Sequence, residues 1–195
     1  MNGLEGRLRD ILRRAPGLMW VLATARDLDL PDWLVFSGAV YQPVWNNLTG
    51  RPLEAGLKDS DLAYFDPGDI SYEAEDQVIR RVAAAFEPPL REKVEVRNQA
   101  RVHLWFEDHF GEPYAPLANT AQALSRFTAP AFAVGVRLEA DGRLTIIAPF
   151  GLEDLFAMRL RPNPLRRATG LARTIENAVS RWPEVSVEGT DPPSP

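Results

Sequence analysis

Leu4, Leu8, Ile11 and Leu12 recur at helical spacing, which predicts an amphipathic helix at the start of the chain. Pro16-Gly17 stops it, and Leu18 to Leu28 reads as a second, more apolar helix. Trp33-Leu34-Val35-Phe36 is a short apolar run, read as a buried strand, with Gly38 close behind it. Val44, Trp45 and Leu48 share one face of a helix over Val40–Leu48, which Thr49-Gly50-Arg51-Pro52 ends. Asp59 to Asp66 reads as a strand, Pro67-Gly68 as a turn, and Ser71 as the N-cap of an acidic-started helix reaching Phe86. After Pro88-Pro89, Val94-Glu95-Val96 alternates as a strand does, and Gln99 to Phe110 reads as a helix. Asn119 with Gln122 predicts the cap of a short helix. Phe132–Leu138 and Leu144–Ile147 read as strands joined by the Asp141-Gly142 turn. Gly151–Met158 and Pro164–Trp182 read as helices, the last with Leu165, Leu171, Ile175, Val179 and Trp182 as its stripe.

This order predicts an α+β domain with a mixed sheet. Residues 1–30 are expected to form N-terminal helices, 31–148 the core and 149–185 C-terminal helices, with 186–195 a flexible, proline-rich tail.

Composition narrows the setting. The 195 residues suit one domain, and a hydrophobic share of 45% with 25% charged is that of a globular chain. Without cysteine there are no disulfides and no thiolate–zinc sites. No run approaches the ~18 apolar residues that span a bilayer, and the charged N-terminus lacks a signal-peptide pattern. The expectation is a cytoplasmic protein with no membrane partner. A net charge of −5 argues against duplex-DNA binding.

Two features carry candidate chemistry. Ser37-Gly38-Ala39 lies between a strand and a helix, where glycine lets backbone approach a phosphate and the helix start offers unpaired N–H groups. Asp59 and Asp61 alternate onto one face of the next strand, where their repulsion is relieved by a hard divalent cation such as magnesium or manganese. A phosphate turn, a helix and then two aspartates form a working arrangement for phosphoryl transfer. Near the next strand, Asn98 is placed to bond a base or sugar and Arg101 to reach a phosphate; the other reading is Asn98 as a helix cap with Arg101 exposed. Arg159, Arg161, Arg166 and Arg167 form a basic patch, read as solvated or as a contact for acceptor phosphates. His103 and His109 do not have metal-site spacing.

On these residues the chain resembles the nucleotidyltransferase superfamily of DNA polymerase beta, which pairs a Gly-Gly or Gly-Ser turn with a later Asp-x-Asp. Gly50-Arg51-Pro52 and the long spacing from Gly38 to Asp59 look like the head segment of tRNA CCA-adding enzymes. The combined pattern is similar to a small bacterial nucleotidyltransferase-like family. Over roughly Pro31 to Pro164 it comprises Pro31-Asp32-Trp33, Ser37-Gly38-Ala39, Val44-Trp45, Gly50-Arg51-Pro52, Asp59-Ser60-Asp61-Leu62 with Tyr64-Phe65-Asp66, Asn98-Gln99-Ala100-Arg101 with His103-Leu104-Trp105, and Ala148-Pro149-Phe150-Gly151 with Asp154-Leu155-Phe156. The resemblance implies a nucleotidyltransferase-type α+β fold and an enzyme that moves a nucleotide from a nucleoside triphosphate to an unidentified acceptor hydroxyl, releasing pyrophosphate. It implies magnesium held by Asp59 and Asp61 and a third carboxylate, best matched by Glu95. Ser37, Gly38, Asn98 and Arg101 are then the nucleotide-binding residues. Ala39 departs from the superfamily's usual Gly or Ser, and Tyr41-Gln42 stands where CCA-adding enzymes carry Arg-Asp. The alternatives are a nucleotide-binding module without turnover and a toxin–antitoxin modifier of RNA or protein.

Overall fold

The computed structural model describes residues 3–166 and 168–189. The opening apolar pattern forms helix α1 (Leu4–Leu12), which buries Leu8, Ile11 and Leu12. Pro16 then starts α2 (Pro16–Leu28) instead of merely ending α1. Its missing N–H costs nothing in a first helical turn. Strand β1 (Leu34–Phe36), buried throughout, leads through Ser37 into α3 (Gly38–Leu48). Strand β2 (Ser60–Tyr64) is shorter than expected, so Asp59 sits just ahead of it.

Helix α4 (Tyr72–Ala84) is capped as the sequence predicts, with Ser71 Oγ accepting from the Ala74 N–H at 3.2 Å. It crosses over to β3 (Val94–Asn98), which lies parallel to β2. Parallel neighbours need such a crossover.

The expected helix over Gln99–Phe110 is not there. A 3-10 turn at Val102–Leu104 is followed only by α5 (Phe106–Phe110). The buried Asn98 side chain accepts from the N–H groups of Asp66 and Ala100, both at 3.0 Å, and donates to the Asp66 carbonyl at 2.9 Å. These bonds turn the backbone where a helix would start.

Asn119 caps α6 (Thr120–Leu124), and Gln122 Oε1 reaches back to the Ala118 N–H at 2.7 Å. Pro130–Phe132 forms a 3-10 turn, so the next strand, β4 (Gly135–Leu138), begins later than its apolar run. It pairs with β5 (Leu144–Ile147) through the expected turn, where Gly142 has φ +79° and the Arg143 N–H bonds Asp141 Oδ1. Helix α7 covers only Glu153–Phe156, and β6 is Arg159–Leu160.

The final helix, α8, spans Leu171–Arg181 and not Pro164–Trp182. Leu165, placed on its stripe by the sequence, is 69% exposed. The preceding segment is held instead by Asn163 Oδ1, which accepts from the Leu165 N–H, and by Glu112, which accepts from the Thr169 N–H. Ser186–Val187, expected in a flexible tail, forms β7 parallel to β6. Glu188 extends that pairing through its N–H to the Leu160 carbonyl, and residues 190–195 of the tail lie outside the described residues.

The main sheet has the order β3-β2-β1-β4-β5, with β1 antiparallel to both neighbours. Side chains alternate across it. Val35, Leu62, Tyr64, Val96 and Val136 enter the main core beneath the N-terminal helices, α3 and α7. Trp45, fully buried, donates from its indole to the Leu155 carbonyl at 2.9 Å and meets Trp182 edge-on at 5.2 Å. Leu34, Phe36 and Ala63 face the other way, into a smaller cluster with Leu117, Leu124 and Ala133. That second face carries the site. Among the described residues no helix is long and apolar enough to cross a membrane.

Candidate active site

Strand register brings the predicted residues together. Phe36, the last residue of β1, lies opposite Asp61 on β2, and Asp61 lies opposite Glu95 on β3. The Ser37 turn, both aspartates and Glu95 therefore meet at one end of the sheet. Asp61 shares the second face with Phe36 and Ala63, and by register Glu95 and Arg97 share it too.

The turn itself is unusual. Ser37 has φ +59° and ψ −126°, a conformation that L-residues rarely adopt. The sequence points to Gly38 as the special residue, yet the left-handed backbone falls on Ser37. Ser37 stays tied to the sheet through its N–H to the Val134 carbonyl (3.3 Å), and its own carbonyl accepts from Val40 and Tyr41. This leaves the N–H groups of Gly38 and Ala39 without acceptors among the described residues, at the positive end of an eleven-residue helix.

The space beside Gly38 is occupied by a flexible side chain. A Cβ there would lie 2.8 Å from Gln42 Nε2, because the Gln42 side chain folds back over the turn. Gln42 Oε1 accepts from Arg181 Nη1 at 2.5 Å, and Arg181 also donates to the Ala55 carbonyl and lies 4.1 Å above the Trp182 ring. Arg181 is a residue the sequence did not flag for this place, and Tyr41 and Gln42 entered only as a departure from the CCA-adding pattern. Burial raises the Tyr41 phenol pKa, and the nearby Asp59 and Asp61 raise it further.

Asp61 is the electrostatic centre. Burial pushes its carboxyl from 3.8 up to about 7, the charges of Asp59 and Glu95 add to the rise, and Arg97 opposes it. A half-buried carboxylate between two others is short of positive charge. Among the described residues no three acidic or histidine side chains converge into an enclosing metal shell. The donor set still fits magnesium, which takes hard oxygens and is typically held by one or two carboxylates completed by substrate phosphates.

Asn98 and Arg101 are not at this end. Asn98 pairs with Tyr64 at the far end of β3, and its side chain is spent on the turn described above. Arg101 is bound to the buried carboxylate of Glu75 and to the Ile70 carbonyl, while Glu75 also accepts from the Asn98 N–H. Their polar groups are engaged within the fold, away from the Ser37 turn. Arg159 and Arg161 similarly clamp the buried Asp154, at 2.6 and 2.7 Å. Arg166 pairs with Glu112, and Arg167 lies outside the described residues. Asp32 bonds the Thr120 N–H at 2.7 Å, and Asn46 holds the Leu53 and Ala55 carbonyls and the Trp182 indole. Asp32, Asn98, Arg101 and Asp154, all within the family-like motifs, thus make contacts within the fold.

Beside the acids a cavity of about 440 Å³ opens along the second face. Phe36 and Arg97 form its near end, and Trp105, Tyr114, Arg126 and Phe127 lie along its walls.

A strained turn at a helix start thus lies at the same end of the sheet as carboxylates from two adjacent strands. A nucleotidyltransferase family model matches residues 23–187, and the chain belongs to that family. In fold it is similar to a protein whose NMR structure reveals a CCA-adding enzyme head domain, with a TM-score of 0.77 and 24% identity over 97% of this chain and 98% of that one. No curated protein matches it in sequence.

Proposed function

We propose that the protein transfers a nucleotidyl group from a nucleoside triphosphate to an acceptor hydroxyl, with release of pyrophosphate. The observation that carries this reading is the register Phe36–Asp61–Glu95, which gathers the helix start and the carboxylates at one sheet end. The free N–H groups of Gly38 and Ala39, with the Ser37 hydroxyl, receive the β- and γ-phosphates. Asp59, Asp61 and Glu95 are the residues that would hold magnesium or manganese, together with phosphate oxygens. When bound, the metal supplies positive charge that stabilises the entering and leaving oxygens.

In the reaction, the acceptor oxygen forms a bond to the α-phosphorus. The bond from that phosphorus to the bridging oxygen of the β-phosphate breaks, and pyrophosphate leaves with the electron pair. The hydroxyl proton passes to a carboxylate oxygen of Glu95, which is exposed at the strand edge. Gln42 must swing off the turn before a phosphate can reach it.

One observation favours a second reading, a binding module without turnover: Gln42, tied to Arg181, covers the turn. Incubation with each α-labelled nucleoside triphosphate, magnesium and a cell extract separates the two. Transfer predicts labelled acceptor that disappears with chelator and in the Asp59→Asn/Asp61→Asn variant. Nucleotide binding without any labelled product supports the module. Labelling that persists without divalent metal overturns the transfer reading.

A further inference from the structure

The geometry points to the cavity beside the acids as the acceptor site, built for a small molecule with a planar apolar body, an anionic group and a hydroxyl. This rests on the transfer reading above and names the substrate class that reading leaves open.

Three observations carry it. The first is continuity. Phe36, which lines the cavity, lies opposite Asp61, and Arg97, also in the lining, shares its strand face with Glu95. An acceptor lying along β3 over Arg97 and Gln99 brings its hydroxyl to Glu95. The triphosphate is meanwhile held at the start of α3, so the two substrates approach the acids from different elements.

The second is the lining. Phe127 meets Phe36 edge-on at 5.4 Å, and Phe106 packs on Tyr114 at 4.4 Å, so the walls are aromatic. Such walls favour flat rings. A volume of about 440 Å³ is that of a small-molecule site.

The third is charge. Three arginines reach the cavity. Arg166 is neutralised by Glu112 at 2.5 Å. Arg97 donates only to the neighbouring Val96 carbonyl, and Arg126 lies over the Tyr114 ring at 5.5 Å. Among the described residues neither Arg97 nor Arg126 has a carboxylate within ion-pairing distance. Arg97 is exposed and also acts on the Asp61 carboxyl, and Arg126 is half-buried; with no carboxylate ion-paired to either, both guanidinium groups are placed to receive an anion on the ligand.

Hydroxynaphthoate and naphthol test this as probes, since both carry the flat rings and the hydroxyl and only the first carries a carboxylate. Fluorescence titration should show one saturable site that prefers hydroxynaphthoate by about tenfold or more. The Arg97→Ala/Arg126→Ala variant should bring the two probes to within about twofold, and Arg97→Lys/Arg126→Lys should restore most of the preference. ATP with magnesium should bind alongside hydroxynaphthoate without displacing it. Equal affinity for the two probes, or an unchanged preference in the alanine variant, overturns the anionic-acceptor assignment. Competition with ATP also overturns it, by making the cavity part of the nucleotide's own site, while transfer itself survives. If hydroxynaphthoate binds and ATP does not, it is the transfer reading that fails, and the acceptor role falls with it.

Discussion

Asp61 and Glu95 face each other across a parallel strand pair, one on β2 and one on β3, with Arg97 two residues beyond Glu95 on the same face. Like charges in direct cross-strand register destabilise a sheet. Such a pair at a strand end beside a cavity gives a reason for the carboxylates beyond folding. Replacing Asp61 by Asn should lower the rate of label transfer on the order of 10²–10³-fold, the loss of several kcal/mol of charge stabilisation. Glu95→Gln should do the same while leaving nucleotide binding measurable by calorimetry. A Glu95→Gln variant with undiminished transfer would remove Glu95 from the reaction.

The same cluster fixes the pH dependence of the metal-free protein. The folded Asp61 carboxyl titrates at about 7, above its ordinary 3.8. A carboxyl raised in the folded state makes folding less favourable once it ionises. Stability is therefore greatest below pH 4 as far as this group is concerned, and is lost as pH rises toward and through 7. In chelator, Asp61→Asn should raise Tm more at pH 8 than at pH 5, and magnesium should narrow that difference for the wild type. An equal Tm gain at both pH values would contradict the placement of the charge.

Asn98 and Arg101 should behave as folding residues. Asn98→Ala removes two acceptor bonds and one donor bond from a buried turn. Each buried group left unsatisfied costs about 1–3 kcal/mol. Arg101→Ala strands the Glu75 carboxylate, only 4% exposed, and breaking a buried pair costs about 3–5 kcal/mol. Denaturant titration should show both losses. Transfer per folded molecule should stay within about twofold of wild type, and a selective loss of nucleotide affinity would return these residues to the site.

The strand, turn and helix around Ser37 and the Asp59–Asp61 pair were legible because they are local patterns, carried by apolar spacing and a few turn residues. The register that sets Asp61 against both Phe36 and Glu95 is a tertiary fact without a local trace. The Gln99–Phe110 stretch has a helical look in isolation, and the Asn98 side chain, bonded back to Asp66, overrides it at its start. Leu165 shows the same limit: Asn163 turns the chain and leaves that leucine outside the stripe. The cavity was invisible because its walls come from separate stretches of chain, joined where Glu112 bonds Arg166 and Thr169. Arg181 could be found only through its contact with Gln42.

That contact makes the last prediction. Gln42 folds over Gly38 and is bonded to Arg181, so on our reading a phosphate entering the turn displaces it. A bond of this kind contributes about 0.5–3 kcal/mol net. Gln42→Ala removes the cover without touching the backbone N–H groups or the acids. It should tighten nucleoside triphosphate binding by about three- to tenfold in calorimetry, with a small fall in Tm from the lost bond to Arg181. Gln42→Glu works in the opposite direction: it pairs more strongly with Arg181 and sets a negative charge at the phosphate turn, so triphosphate should bind more weakly than to wild type. If Gln42→Ala instead weakens binding, Gln42 contacts the nucleotide directly, and the covered turn is the ligand-free arrangement of a residue that helps to hold it.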